Sequence, residues 1–257
     1  MEKNDLLMSL QGPINLAKII KSGGTAPNKP GAFRHVGTAD ACEIELSVDT
    51  VKQTESYTGQ RLQVGELTLS KSGSLTLTLK DWTPENLALA LYGEVITVVS
   101  NTVVSESLPT GLIINDVIKL EHPFVSNIVV EDANGTTLTE GTDYKITSFS
   151  AGMIQLLTTA ALTATVSYDY ASTENLGMFT KQPPERWFLL DGINTDREDD
   201  RLIIQLFRVK FNPVSNLSLL HNEGYGELQL TGVVLADMTQ QADGQLGYFG
   251  SYIRKAD

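Results

Sequence analysis

Three histidines, one cysteine and a run of carboxylates are the side chains through which this chain could do chemistry. His35, His122 and His221 lie far apart, and no HxxxH or HExxH spacing brings two imidazoles onto one helix face. Zinc therefore has no ligand set to start from. Cys42 stands alone, which excludes an intramolecular disulfide, and it opens an alternating strand with no base beside the thiol. It reads as a small packing residue. Serines are abundant, yet no GxSxG elbow presents one as a nucleophile, and no GxGxxG or Walker-type loop cradles a phosphate. The densest carboxylate cluster, Asp191 to Asp200, lacks the central glycine and closing glutamate of a calcium loop. With Arg197 and Arg201 beside it, that cluster reads as a solvated hairpin loop. The residues point to no enzyme, no metal site and no cofactor.

Apolar residues make up 41% of the 257, enough for a sizeable core, and the charged fraction of 19% places the chain among globular proteins. The net charge of −12 disfavours a basic patch for binding nucleic acid. Met1 to Leu10 carries Glu2 and Asp5 and only a short apolar patch, unlike a signal peptide, and no apolar run approaches the ~20 residues of a membrane helix. A soluble, unexported chain is expected.

Any functional surface here must be carried by strands. In Glu43-Ile44-Glu45-Leu46-Ser47-Val48-Asp49 the apolar residues alternate with three acids and a serine, so one face should be dry and the other wet. Thr50 to Val64 reads as a long polar loop. Glu66 to Ser70 and Ser74 to Leu79 read as two strands joined by Lys71-Ser72-Gly73. Thr83 to Gly93 is the convincing helix: Thr83 suits the N-cap, Pro84 the first turn and Gly93 the left-handed stop. Leu87, Ala90 and Leu91 form its core stripe.

From Glu94 to Ala171 the composition changes to Thr, Val and Ile without arginine or tryptophan. Strands are expected at Ile113 to Leu120, Asn127 to Glu131, Tyr144 to Phe149 and Thr163 to Tyr170, with Asn134-Gly135 as a type I′ turn. The layout is a first part at 1–93, an inserted Ig-like β-sandwich at 94–171, a second part at 172–236 and a C-terminal arm at 237–257. Further strands are read at Arg186 to Leu190, Leu202 to Phe211 and Glu227 to Val234. Tyr248, Phe249 and Tyr252 mark the arm as a docking strap.

The run Lys29-Pro30-Gly31-Ala32-Phe33-Arg34-His35-Val36-Gly37, followed by the acidic strand, Glu55-Ser56-Tyr57-Thr58-Gly59-Gln60-Arg61, the Leu/Thr strands and the helix, resembles the siphophage major tail tube proteins. Resemblance covers roughly Leu7 to Gly93 and, more loosely, Phe179 to Thr239. It implies a mainly β fold, a tail-tube β-sandwich with one flanking α-helix, whose copies form hexameric rings stacked into a tube in the virion tail. It also implies a chain made in the host cytoplasm that meets the tape measure protein, the tail terminator and distal tail or baseplate proteins. DNA would pass in transit without specific binding, and no membrane insertion is implied. In that setting Glu55, Ser56, Tyr57, Thr58, Gly59, Gln60 and Arg61 become inter-ring loop candidates. Glu43, Glu45, Asp49, Glu227 and Gln229 become lumen-facing candidates, with outer solvent as the competing orientation. Two other readings stay open: the tube of a contractile tail or type VI-like injection system, and an Ig-like surface-binding module.

Overall fold

The computed structural model describes residues 8–23, 26–182, 184–196, 201–240 and 247–254. The chain runs through β1 (Leu10–Gln11), β2 (Ile14–Ile20), β3 (Lys29–His35), β4 (Ala39–Thr54), β5 (Gln63–Leu79) and α1 (Pro84–Leu91). It continues through β6 (Val95–Val98), β7 (Asn101–Ser107), β8 (Val117–Lys119), β9 (Val125–Glu131), β10 (Tyr144–Ser148) and β11 (Met153–Leu156). After a 3-10 turn come β12 (Thr165–Tyr170), β13 (Thr173–Leu176), β14 (Glu185–Asn194), β15 (Arg201–Phe211), β16 (Leu228–Val234) and β17 (Gly250–Arg254). The protein is mainly β, and no helix among the described residues is long and apolar enough to cross a membrane.

Two compact units divide the chain: Met1–Val95 with Leu176–Asp257, and Ile96–Asn175. The first holds a nine-stranded sheet in the order β3-β2-β14-β15-β16-β5-β4, with β1 on β14 and β17 on β15. Period-two alternation builds its core. Leu75, Leu77 and Leu79 of β5 and Leu228 and Leu230 of β16 are fully buried, while the Thr and Gln residues between them face outward. These leucines share one cluster with Ile14, Leu16, Phe188, Val209 and Phe211.

Helix α1 closes this core. Thr83 accepts a hydrogen bond from the Asn86 amide at 3.3 Å, with Pro84 behind it, as its position in the sequence suggests. Its buried residues are Asn86, Leu89 and Ala90, whereas Leu87 and Leu91 of the expected stripe are only partly buried against the core. Asn86 is completely enclosed and fully employed. Its amide donates to the carbonyls of Val36 at 2.8 Å and Asp81 at 3.0 Å, and its oxygen accepts from Arg34 at 2.8 Å. The left-handed stop is Tyr92, at φ 52°, and not Gly93. Gly93 is needed for space: a Cβ there would lie 2.4 Å from the Gly177 carbonyl oxygen.

The C-terminal segment is tied down by a second polar hub. The buried Asp237 carboxylate accepts from the Asn28 side-chain amide at 3.1 Å, the Thr239 hydroxyl at 2.7 Å and the Gln240 amide at 3.3 Å. Burial alone would raise its pKa, but these hydrogen bonds outweigh it and hold the group below its ordinary value. Strand β17 then pairs with Leu202–Leu206 of β15, along the edge that β16 occupies at Val209–Phe211.

The second unit has two three-stranded sheets, β10-β11-β8 and β7-β12-β9, around its own cluster of Ile118, Val130, Tyr144, Ile154, Val166 and Tyr168. Strand β6 pairs with β13 in a separate two-stranded sheet. The expected strand from Ile113 to Leu120 shrinks to Val117–Lys119. Asp116 takes a turn instead, accepting from the Ile113 amide on its carboxylate at 2.8 Å, and Asn115 is left-handed at φ 76°. Asn134-Gly135 is not a type I′ turn, because Gly135 has a positive φ (77°) and Asn134 does not. The Asp132 carboxylate accepts from the Asn134 and Thr136 amides, which holds the tip another way.

Leu230→Ala is expected to cost about 2–5 kcal/mol, read as a lower denaturant midpoint. Asp237→Ala should cost about 1–3 kcal/mol by orphaning the Asn28 amide. The contribution of Asp237 should be complete above the ordinary carboxylate range and fall away as pH drops below it, measurable as a wild-type minus variant difference in stability against pH.

Candidate functional site

The feature that the isolated chain leaves unfinished is the β4–β5 hairpin. From Leu79 to Gly73, β5 pairs with β4 on one side and β16 on the other. Strand β16 ends at Val234, opposite Gly73, and from there outward β4 and β5 have only each other among the described residues. Leu75 is wholly buried, but one row further out Leu46 is 74% exposed, and Leu67 and Leu69 are 65% and 61% exposed. Val48, Val51 and Val64 are uncovered as well. On the edge strand β4 the expected dry face is already open at Ile44 and Leu46, and on β5 the covered rows end at that of Leu46, Gly73 and Val234, where β16 stops. At about 3.4 Å per residue, Leu46–Thr54 carries the arm roughly 30 Å beyond that row.

The arm also corrects two sequence-based expectations. Lys71-Ser72-Gly73 is no turn; it lies inside one continuous strand of 17 residues. Gly73 lies in close quarters there, since a Cβ would meet Leu46 Cδ2 at 3.1 Å and Val234 Cβ at 3.4 Å. The polar loop expected over Thr50 to Val64 is also shorter, because Thr50–Thr54 and Gln63–Val64 belong to the strands. Thr/Leu alternation carries no marker of where a ladder loses its second neighbour.

At the tip lie the loop candidates Glu55, Ser56, Tyr57, Thr58, Gly59, Gln60 and Arg61, with Gly59 and Arg61 in the left-handed region at φ 78° and 51°. Glu55 folds inward and organises them. Its carboxylate accepts from the amides of Tyr57 and Thr58 at 2.8 Å each, from the Leu62 amide at 3.4 Å and from the Thr58 hydroxyl. These bonds, that of the Thr58 hydroxyl foremost, draw its pKa down to about 2. Tyr57 is left 84% exposed at the end of the arm.

Four of the five lumen candidates come together on one sheet face. Register places Glu43 beside Thr76 and Thr231, Glu45 beside Ser74 and Val233, and Gln229 beside Thr78 and Ala41. Asp49 follows further along β4 and accepts from the Ser70 hydroxyl at 2.7 Å. All are exposed, on the face opposite the leucine core. Glu227 differs: Lys80 bridges it to Asp40 at 2.7 Å each, so its charge is partly offset by a cation that it shares. Cys42 packs partly against the core, and burial, followed by Glu43, pushes its thiol up to about 11, far from a reactive thiolate.

Among the arm-docking candidates, Phe249 packs against its own core, and Tyr248 and Tyr252 are 38% and 58% exposed around β17. Residues 197–200 of the acidic cluster, Arg197 among them, lie outside the described residues, and Asp191–Asn194 continue β14 rather than a loop. No group of His, Cys, Asp or Glu that could hold a metal occurs among the described residues.

Protonation of Glu55 should loosen the tip. Its contribution is whole above its ordinary pKa near 4.5 and is lost as pH falls through about 2. The Tyr57 and Thr58 amide resonances are expected to titrate with a midpoint near 2, and Glu55→Gln should remove that titration and the exchange protection of both amides.

No curated protein matches the chain. A family model does match, over residues 7–253, a span that takes in the arm, the acidic face and both compact units. The chain belongs to the family described as protein of unknown function UCP028589.

Proposed function

We propose that this chain is the repeating subunit of a phage tail tube of the siphophage type. Copies close into hexameric rings, the rings stack, and the hollow core holds the tape measure protein before DNA passes. Tail terminator and distal tail or baseplate proteins meet the two ends. In this reading the nine-stranded unit is the tail-tube β-sandwich, and Ile96–Asn175 is an Ig-like decoration.

The observation that carries the proposal is the uncovered apolar arm. Large exposed apolar surface marks an interaction site, and full burial of Leu46, Leu67 or Leu69 would contribute roughly 1.5–3 kcal/mol each. Strands β3 and β4 each pair along one edge among the described residues, so backbone donors and acceptors are also available for strand addition. An arm that meets a different surface of the next copy makes a heterologous contact, and such contacts generate rings and filaments. Glu43, Glu45, Asp49 and Gln229 then supply a wet wall, repeated six times per ring, that repels polyphosphate.

Electron microscopy of the purified chain at rising concentration tests the class. Rings or tubes are expected, and Leu46→Asp with Leu67→Asp should abolish them while leaving the melting temperature within a few degrees. A wild-type chain that stays monomeric at every concentration, with Leu46 and Leu67 as open to solvent labelling in virions as in the free protein, would overturn the reading. Glu43→Lys with Glu45→Lys should leave tubes intact but reduce genome delivery; normal ejection would remove these residues from the lumen.

A further inference from the structure

A cleft of about 640 Å³ opens between α1 and the sheet face formed by β2, β3 and β14, and it gathers positive charge in an acidic protein. Register sets Lys18 directly across from Arg186, and Arg34 directly across from Leu16. Lys181 joins these three cations at the wall, and Glu85 and Glu94 are the carboxylates that line the cleft with them. Glu94 is bonded to Lys181 at 2.5 Å. Four cations against two carboxylates leave two positive charges in excess.

The partners of the two arginines are mostly neutral. Arg34 donates to the Asn86 side-chain oxygen at 2.8 Å and the His35 carbonyl at 3.4 Å, and Glu85 acts on it through its field. Arg186 donates to the Glu185 carbonyl at 2.9 Å. Among the described residues no carboxylate lies in ion-pair contact with Lys18, Arg34 or Arg186. Burial lowers the pKa of both guanidiniums, and the field of Arg34 lowers that of Arg186 further. Two like charges held together and partly desolvated, with Glu85 acting on Arg34 only through its field and no carboxylate in contact, constitute a standing electrostatic cost that a bound anion would relieve.

Shape and lining narrow the anion. The floor is apolar, with Leu16 and Leu89 buried beneath and Ala88 and Pro184 at the sides. A free phosphate would leave that floor wet. An aspartate or glutamate side chain would lay its methylenes there and offer its carboxylate to a planar guanidinium fork. The volume suits two or three residues of extended peptide. A nucleic acid would bring many further phosphates against a chain of net charge −12. We propose that this cleft binds an acidic peptide segment, with Arg34 and Arg186 gripping one carboxylate and Lys18 and Lys181 drawing in its neighbours.

Fluorescence anisotropy on the full chain tests this, with labelled hexaglutamate as the probe and hexaglutamine, orthophosphate and an oligothymidine as competitors. Hexaglutamate is expected to bind and to weaken at least tenfold between 50 and 300 mM salt. Arg186→Gln should weaken it tenfold or more, as should Lys18→Gln with Lys181→Gln, a pair of exposed changes that keeps the test valid if Arg186→Gln fails to fold. Hexaglutamine should not compete. Absence of binding, binding indifferent to both sets of variants, or displacement by equimolar orthophosphate or oligothymidine would each overturn the proposal.

Discussion

Strand β5 has two neighbours from Leu79 to Gly73 and one beyond it, and the rest of the molecule is arranged around that change. Inside the boundary, each leucine of β5 lies in a row with residues of β4 and β16 and points into the main core. Outside it, Val48 continues that face, a register shift between Asp49 and Thr50 leaves Val51 and its partner Leu67 on the other, and all three side chains are exposed. Hydrogen bonds between β4 and β5 persist, so the arm keeps its backbone order while its side chains stay in water. An ordered apolar strand pair with an open edge is a surface that sequences usually blunt, and here it is kept.

Three buried or inward-turned polar side chains set the positions of the segments that the core does not reach. Asn86 joins α1 to the carbonyls that flank β3 and β5, Asp237 holds the chain after β16 to Asn28, and Glu55 shapes the arm tip. Each has its hydrogen-bonding capacity largely used, which is the condition under which burying a polar group fixes geometry instead of costing stability. The two carboxylates do this through backbone and neutral donors, so their charge survives to low pH.

Charge is segregated between the faces of one sheet. Glu43, Glu45 and Asp49 lie on the face turned away from the leucine core, whereas Lys18, Arg34 and Arg186 lie on the α1 side at the other end of the strand order. Screening reduces such fields over about 8 Å at physiological ionic strength, so each patch acts chiefly on what lies next to it. A net charge of −12 describes neither patch.

By itself the sequence determined the β class, the cap of α1, the acid and apolar alternation of β4 and the distinct composition of the middle segment. These are local: the period of two, the N-cap hydroxyl and the proline act within a few residues. Tertiary structure decided what alternation cannot express. Leu75 and Leu69 occupy the same pattern in the sequence, yet Leu75 is buried where β16, some 160 residues away, lies alongside, and Leu69 is exposed at a register shift beyond the end of β16. Lys71-Ser72-Gly73 looks like a turn for the same reason, since Gly73 answers to Leu46 and Val234 and not to its own neighbours. The cleft was illegible for a related cause: Lys18, Arg34 and Arg186 are scattered in the chain, and antiparallel pairing of β2 with both β3 and β14 is what makes them adjacent.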